Sequence, residues 1–298
     1  MQNAKLKNYI HLHFLVFIAG FTAILGELIT ISAIPLVWFR MLMATVLIFA
    51  YIKIAKVNIR VEPRLLFKFS IAGIIIALHW VTFFASINYA NISIALAMFS
   101  TGAFFASILE PIVFKRKVIW YEILFGIFVI AGIFIITQSE IEYLMGIILG
   151  ISSAFLSSLF AVLNGKFSQK YPATVISFYE FISGVIFITI FILVFRGGFS
   201  LEFFKLSQTD FIYLFILASI CTAYAFIAAV HVMKIISPYT VVLTYNLEPV
   251  YGIAIAIVLF PQKEKMGAMF YYGAAIILTT VMLNGILKNK RRLKRKRS

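Results

Sequence analysis

Apolar runs separated by short clusters of charged and turn-forming residues recur along the whole chain, near 10–30, 34–52, 68–89, 92–114, 118–137, 143–165, 173–195, 210–233, 238–260 and 267–287. Each is close to the ~20 residues that a helix needs to cross a ~30 Å hydrocarbon core. Strands of a membrane barrel would alternate apolar and polar positions, and Ile71 to Leu78 or Ile253 to Phe260 do not. The pattern predicts an all-α integral membrane protein of ten transmembrane helices. Ten spans take roughly 200 residues, so a chain of 298 keeps short connectors and no separate soluble domain.

Composition agrees: 63% of residues are hydrophobic and 12% charged, against roughly half and a quarter in soluble domains. The net charge of +15 invites a nucleic-acid reading, but its placement argues against one, because the basic residues fall in alternate connectors. One side of the bilayer receives Lys5 and Lys7, the group from Lys53 to Lys68, Lys115, Arg116, Lys117, Lys166, Lys170, Lys234 and the tail from Lys288 to Arg297. The other receives Arg196, Lys205, Lys263 and Lys265, diluted by Glu140, Glu142, Glu202, Asp210 and Glu264. An even number of spans then puts both termini in the cytoplasm of a multi-pass plasma-membrane protein, of the bacterial inner-membrane kind. The tail is expected to be disordered in water and to rest on anionic lipid headgroups. The single Cys221 lies inside a span, which excludes an intramolecular disulfide. The first apolar run has no small-residue cleavage site after it and reads as a retained helix. Asn91-Ile-Ser93 matches a glycan acceptor in a connector too tight for a glycan.

The chain divides into residues 1–139, 140–287 and a basic tail, 288–298. Five spans per half is odd, so the halves have opposite orientations, as in inverted repeats. Pro35 precedes Arg40 in the second span as Pro172 precedes Glu180 in the seventh, and Gly126 to Ile136 parallels Gly273 to Leu283. Aligning Gly126 with Gly273 puts Pro249 near Ala103, so Glu110-Pro111 and Glu248-Pro249 are not equivalent. Glu110 falls near a helix end and Glu248 near mid-span.

An ionisable side chain at the centre of a span costs about 2.5–3.5 kcal/mol on insertion scales and therefore needs a partner, a cavity or a proton. Thr240, Thr244, Glu248 and Tyr251 form one polar stripe, and His79, Thr82, Ser86 and Tyr89 another beside Trp80. Glu248 reads as cavity-lining against a hydrogen-bonded neutral acid. His79 reads equally as a solute or proton group and as a cap on a carbonyl. Ser93, Ser100 and Ser107 mark a small face suited to close packing, and Gly146, Gly150, Ala154 and Ser158, ending at Asn164, mark another. Arg40 and Glu180 hold corresponding places in the two halves, which inversion puts near opposite membrane faces, so a salt bridge between them is improbable. Either reads as orienting an ionic substrate or gating one mouth of the cavity, against a snorkelling Arg and a packed, hydrogen-bonded Glu, with snorkelling favoured for Arg40. Tyr179, Tyr224, Tyr245 and Asn246 are weaker candidates because aromatic residues commonly form interfacial belts. The candidate solute-binding set is His79, Trp80, Ser86, Ser100, Thr101, Glu180, Tyr224, Thr244, Tyr245 and Glu248.

The second span from Pro35 to Arg40, the stretch from His79-Trp80 to Ala95-Leu96, and Leu247-Glu248-Pro249-Val250-Tyr251 together resemble the EamA-type drug/metabolite transporters. The resemblance covers nearly the whole chain. It implies two inverted five-helix repeats around a central cavity, alternating access, and substrates such as amino acids or other small polar metabolites, often exported. Span four departs from the family, having Thr101-Gly102-Ala103 at its usual mid-helix proline.

No phosphate-binding loop is present, since Gly165-Lys166 is followed by Phe167, and no H-E-x-x-H, paired Cys or G-x-S-x-G occurs. His11 and His13 make too small a cluster for a metal. These absences argue against an ATP-driven pump, an enzyme, a metal site or any cofactor. The expectation is a gradient-driven exporter of an amino acid or related solute, with nucleosides and small drugs as alternative cargoes. A lipid-modifying intramembrane enzyme and a non-transporting scaffold are the rivals from other classes. A carboxyl in an apolar span also makes proton coupling an expectation. A homodimer is compatible with the sequence, although nothing in it specifies one.

Overall fold

The computed structural model describes residues 2–115 and 120–295, with side chains for 7–115, 121 and 124–287. Its helices are α1 (Gln2–Leu28), α2 (Ala33–Ile54), α3 (Pro63–Tyr89), α4 (Ile92–Phe114), α5 (Trp120–Ser139), α6 (Leu144–Phe167), α7 (Ala173–Phe195), α8 (Gln208–Val232), α9 (Pro238–Leu259) and α10 (Ala268–Arg295). Among the described residues, nine of these are long and apolar enough to cross a bilayer, and α5 adds the shorter apolar stretch Leu124–Ser139. The chain is an all-α membrane fold of two inverted five-helix repeats. Large side chains such as Phe195, Val258 and Ile130 face outward, where hydrocarbon rather than water is the solvent. Arg116 and Lys117 lie outside the described residues, as do Lys296, Arg297 and Ser298.

The tail departs from expectation, because α10 continues through Lys288 to Arg295. Extending an anchored helix needs no new nucleus. Lys and Arg are good helix formers, and their charge suits a helix C-terminus.

Local chemistry sets the helix starts. Pro63 and Pro238 occupy first-turn positions, where the missing N–H costs nothing. Ser207 and Ser237 accept hydrogen bonds from Asp210 N at 3.0 Å and Thr240 N at 3.4 Å. Asn91 does the same for Ile94 N at 2.9 Å and is 4% exposed, which leaves no room for a glycan.

Two spans expected as continuous helices are broken in the middle. Helix α4 runs Ile92–Phe99, turns at Ser100 and Thr101, and resumes as Gly102–Phe114. Helix α9 runs Pro238–Tyr245, turns at Asn246 and Leu247, and resumes as Glu248–Leu259. Pro249 has no N–H for the Tyr245 carbonyl, which accounts for the second break. In α4 the Ser100 and Thr101 hydroxyls donate to the Ala97 and Met98 carbonyls at 2.6 and 2.7 Å, competing with the helical ladder as proline does elsewhere. The segments after the breaks start at Gly102 and at Glu248, so Ala103 and Pro249 each follow at the second position. Helix α8 is interrupted at similar depth by a wide turn over Ser219–Tyr224, where the Thr222 hydroxyl donates to Leu217 O at 2.6 Å.

Packing follows the inverted repeat. Helices α2, α4 and α5 each contact their own equivalents α7, α9 and α10, while α3 with α6 and α7 mirrors α8 with α1 and α2. The α5/α10 crossing fixes the register. A Cβ on Gly132 would meet Ile277 Cγ1 at 2.6 Å and Gly273 O at 2.9 Å, and one on Gly273 would meet Ile136 Cγ1 at 2.6 Å and Gly132 O at 2.8 Å. Gly132, not Gly126, therefore stands opposite Gly273, and Gly126 instead receives the Phe104 ring. Residue spacing alone hid this pairing. The small-residue ridge of α6 packs as expected. Gly146 meets Ala90 and the Ser86 carbonyl, Gly150 meets Met98, and the Ser158 hydroxyl donates to Gly102 O at 2.7 Å. Between apolar helices in lipid, such close approach supplies much of the attraction.

The connector after α9 ties the repeats together. Lys263 Nζ donates to Glu27 Oε1 at 2.5 Å, and that bond raises the lysine's pKa above its ordinary value. The buried Glu264 carboxylate accepts Ile92 N at 3.0 Å and Ser93 N at 2.9 Å, capping α4 from the other repeat. Glu264→Ala leaves both amides without an acceptor and is expected to cost about 2 kcal/mol. Thermal unfolding in detergent checks this; an unchanged midpoint would mean that α4 does not depend on the cap.

Candidate solute-binding cavity

The breaks in α4 and α9 and the wide turn of α8 face a common space. A cavity of about 150 Å³ lies there, walled by α1, α2, α3, α4, α6, α8 and α9. Its polar groups are Thr22, Arg40, His79, Ser157, Ser158, Tyr245, Asn246 and Glu248, set among Trp80, Phe83, Phe99, Phe160 and Phe226.

Arg40 is 2% exposed and lines the cavity, so the snorkelling expected of it is not observed. Its Nε donates to Thr222 Oγ1 at 2.6 Å and its Nη2 to Cys221 O at 3.4 Å. The wide turn of α8 presents that hydroxyl and that carbonyl to the guanidinium. The guanidinium lies 4.0 Å from the Trp80 ring centroid. Arginine tolerates this setting because its planar charge is weakly hydrated and stacks on an indole face. Its Nη1 has no hydrogen-bond partner.

Glu248 opens the second half of α9 and is 5% exposed; its carboxyl makes no side-chain hydrogen bond among the described residues. His79 lines the cavity and makes the carbonyl contact expected of it. Its Nδ1 lies 3.1 Å from the Ser153 carbonyl and 2.8 Å from the Ser153 hydroxyl, and that hydroxyl donates to His79 O at 3.2 Å. A carbonyl only accepts, so Nδ1 carries the hydrogen and Nε2 is left as an acceptor in the neutral ring. The ring stacks on Phe99 at 5.5 Å.

Of the expected set, the structure brings His79, Trp80, Tyr245 and Glu248 to the cavity. The other six are elsewhere. Ser86 donates to Gly146 O at 2.7 Å in the α3/α6 packing seam. Ser100 and Thr101 spend their hydroxyls on the break in α4, and Thr244 donates back to Thr240 O at 2.8 Å. Tyr224 is half exposed on the outer side of α8 with its OH 2.9 Å from His11 Nε2. Glu180 lies behind the wall, bonded to Asn164. The stripe through Thr240, Thr244, Glu248 and Tyr251 fails because the break rotates the second half of α9 relative to the first. Thr240 pairs with Ser237, and Tyr251 turns outward against Phe17. Along α3, Thr82 donates to Leu78 O and Tyr89 is exposed.

Sequence reading favoured a snorkelling role for Arg40 over a cavity role, and it missed Thr222 and the phenylalanine walls. The lone Arg within an apolar run was the available signal for the cavity role. Thirty-two phenylalanines hide the walls, because nothing in their spacing separates cavity from lipid.

Comparison with known proteins adds an independent line. The sequence matches the EamA-like transporter family over residues 7–138 and 144–286. No curated protein matches. A solved structure described as "Crystal structure of protein" superimposes with a TM-score of 0.68 at 13% identity, covering 95% of this chain and 98% of that one. At that identity the likeness shows the fold alone.

Proposed function

We propose, because the chain belongs to the EamA-like transporter family, that this membrane transporter exports amino acids or closely related zwitterions by alternating access of its two repeats. The observation that carries the reading is a base and an acid, Arg40 and Glu248, on the walls of one aromatic-lined cavity. In that setting Arg40 takes the solute carboxylate, using the Nη1 that its scaffold of Thr222 and Cys221 leaves over. Glu248 takes the ammonium, and His79 and Tyr245 offer further polar edges. The aromatic walls accept an apolar side chain.

Size supports the same class. A cavity near 150 Å³ is of the order that encloses one benzene-sized group, ~150 Å³, which suits an amino acid better than a nucleoside. Broken helices meeting at mid-depth on a repeat interface are where a rocking transporter keeps its site. The two halves of α4 and α9 supply such hinges. The basic connectors support cytoplasmic termini in a plasma membrane, and the basic residues from 288 onward suit anionic headgroups.

Glu248→Gln is expected to raise the half-saturating concentration for an amino acid about 10- to 100-fold, the worth of one charged hydrogen bond. The effect should be small for the deaminated carboxylic acid, if that acid is carried at all. Concentration-dependent uptake into proteoliposomes measures both. Equal loss for the two solutes would remove Glu248 from ammonium recognition.

A further inference from the structure

Glu180 on α7 and Asn164 near the end of α6 are each 0% exposed, behind the cavity's aromatic wall. The adjacent Phe181 packs on Trp80 at 5.5 Å and Phe226 at 4.5 Å. Asn164 Nδ2 donates to Glu180 Oε1 at 2.9 Å and to Phe160 O at 3.3 Å. Those bonds use both hydrogens of the carboxamide and fix its orientation. The atoms left over are Asn164 Oδ1 and Glu180 Oε2, and neither has a partner among the described residues.

If Glu180 were ionised, both leftover atoms would be acceptors, in a span where an uncompensated charge is costly. A single proton on Oε2 turns one acceptor into a donor. It removes that charge and lets Oε2 donate, while Oε1 keeps the N–H of Asn164. Among the described residues no ion pair stands in for it. On the helices packed against α7, Arg40 is held by Thr222 and Cys221 and His79 by Ser153. Lys53, Arg64, Lys68, Lys166 and His231 are exposed. On α7 itself, Tyr179 OH donates to Ile59 O at 2.8 Å.

We propose that Glu180 and Asn164 form a proton-binding site separate from the solute cavity, and that this proton couples solute movement to a pH gradient. The coupling half rests on the transport reading above. Position supports it. The Glu180 carbonyl meets Gly73 of α3 at the seam between repeats, so a rocking of one repeat against the other changes this residue's surroundings directly.

Infrared difference spectra of lipid-reconstituted protein at neutral pH, wild type minus Glu180→Gln, should contain a carboxylic-acid C=O band. Asn164→Ala should shift that band in otherwise wild-type protein, which keeps the test readable if Glu180→Gln does not fold. An imposed pH gradient should drive solute accumulation by the wild type and leave Glu180→Gln, which retains labelled-for-unlabelled exchange, unresponsive. Absence of the band overturns the proton site. A band together with a Glu180→Gln protein that still follows the gradient overturns the coupling. The infrared arm needs no solute, so failure of every protein to transport would count against the transport reading while leaving the proton site decided by the spectra.

Discussion

Replacing Arg40 by glutamine should lower the efficiency of amino-acid flux about 100-fold, the equivalent of ~3 kcal/mol for a buried charge-assisted bond. The argument is local. Arg40 lines the cavity, its Nε and Nη2 are committed to Thr222 and Cys221, and its Nη1 has no hydrogen-bond partner among the described residues. Glutamine keeps some polarity and loses the charge that a carboxylate requires. Lysine keeps the charge but cannot reproduce the fork, so Arg40→Lys should recover only part of the flux. Protein level in the membrane and thermal midpoint must be measured alongside, because the guanidinium also stacks on Trp80. Normal flux in a stable Arg40→Gln protein would remove Arg40 from solute recognition.

The largest effect on assembly is expected at Gly73. A Cβ there would collide with the Glu180 backbone carbonyl, and backbone cannot swing aside as the end of a side chain can. The crossing is tight from both sides, since a Cβ on Gly184 would lie 3.0 Å from Gly73 O and 2.9 Å from Met41 Sδ. Ser183 Oγ donates to Ser70 Oγ at 3.0 Å across the same seam. Gly73→Ala should therefore destabilise by about 3 kcal/mol, the upper part of the range for overpacking. Reversible unfolding in detergent measures it. A wild-type unfolding curve would show that α3 and α7 can part at no cost.

Much of this fold was legible because hydrocarbon imposes a simple rule, in which a helix must be long and apolar. Every expected span has its helix, and the small ridge on α6 packs as its spacing implied. The sites were harder. Stripes drawn at helical spacing assume an unbroken helix, and α4, α8 and α9 are interrupted where the cavity forms. Pro249 signalled one break. Ser100 and Thr101 produce another by side-chain competition, and the wide turn of α8 has no marker in Ser219 to Tyr224. Arg40 illustrates a different gap, since a lone cation about two turns inside a span reads the same whether it reaches the interface or stacks on an indole from a distant helix.

The central claim is that Arg40 and Glu248 recognise the two charges of one zwitterion. Counterflow in proteoliposomes holding the purified protein tests it most directly, with an apolar amino acid set against its carboxamide and its deaminated acid. The account requires saturable exchange of the intact amino acid, and weak or no exchange of either analogue. Equal exchange of all three, or none of the amino acid, would contradict it.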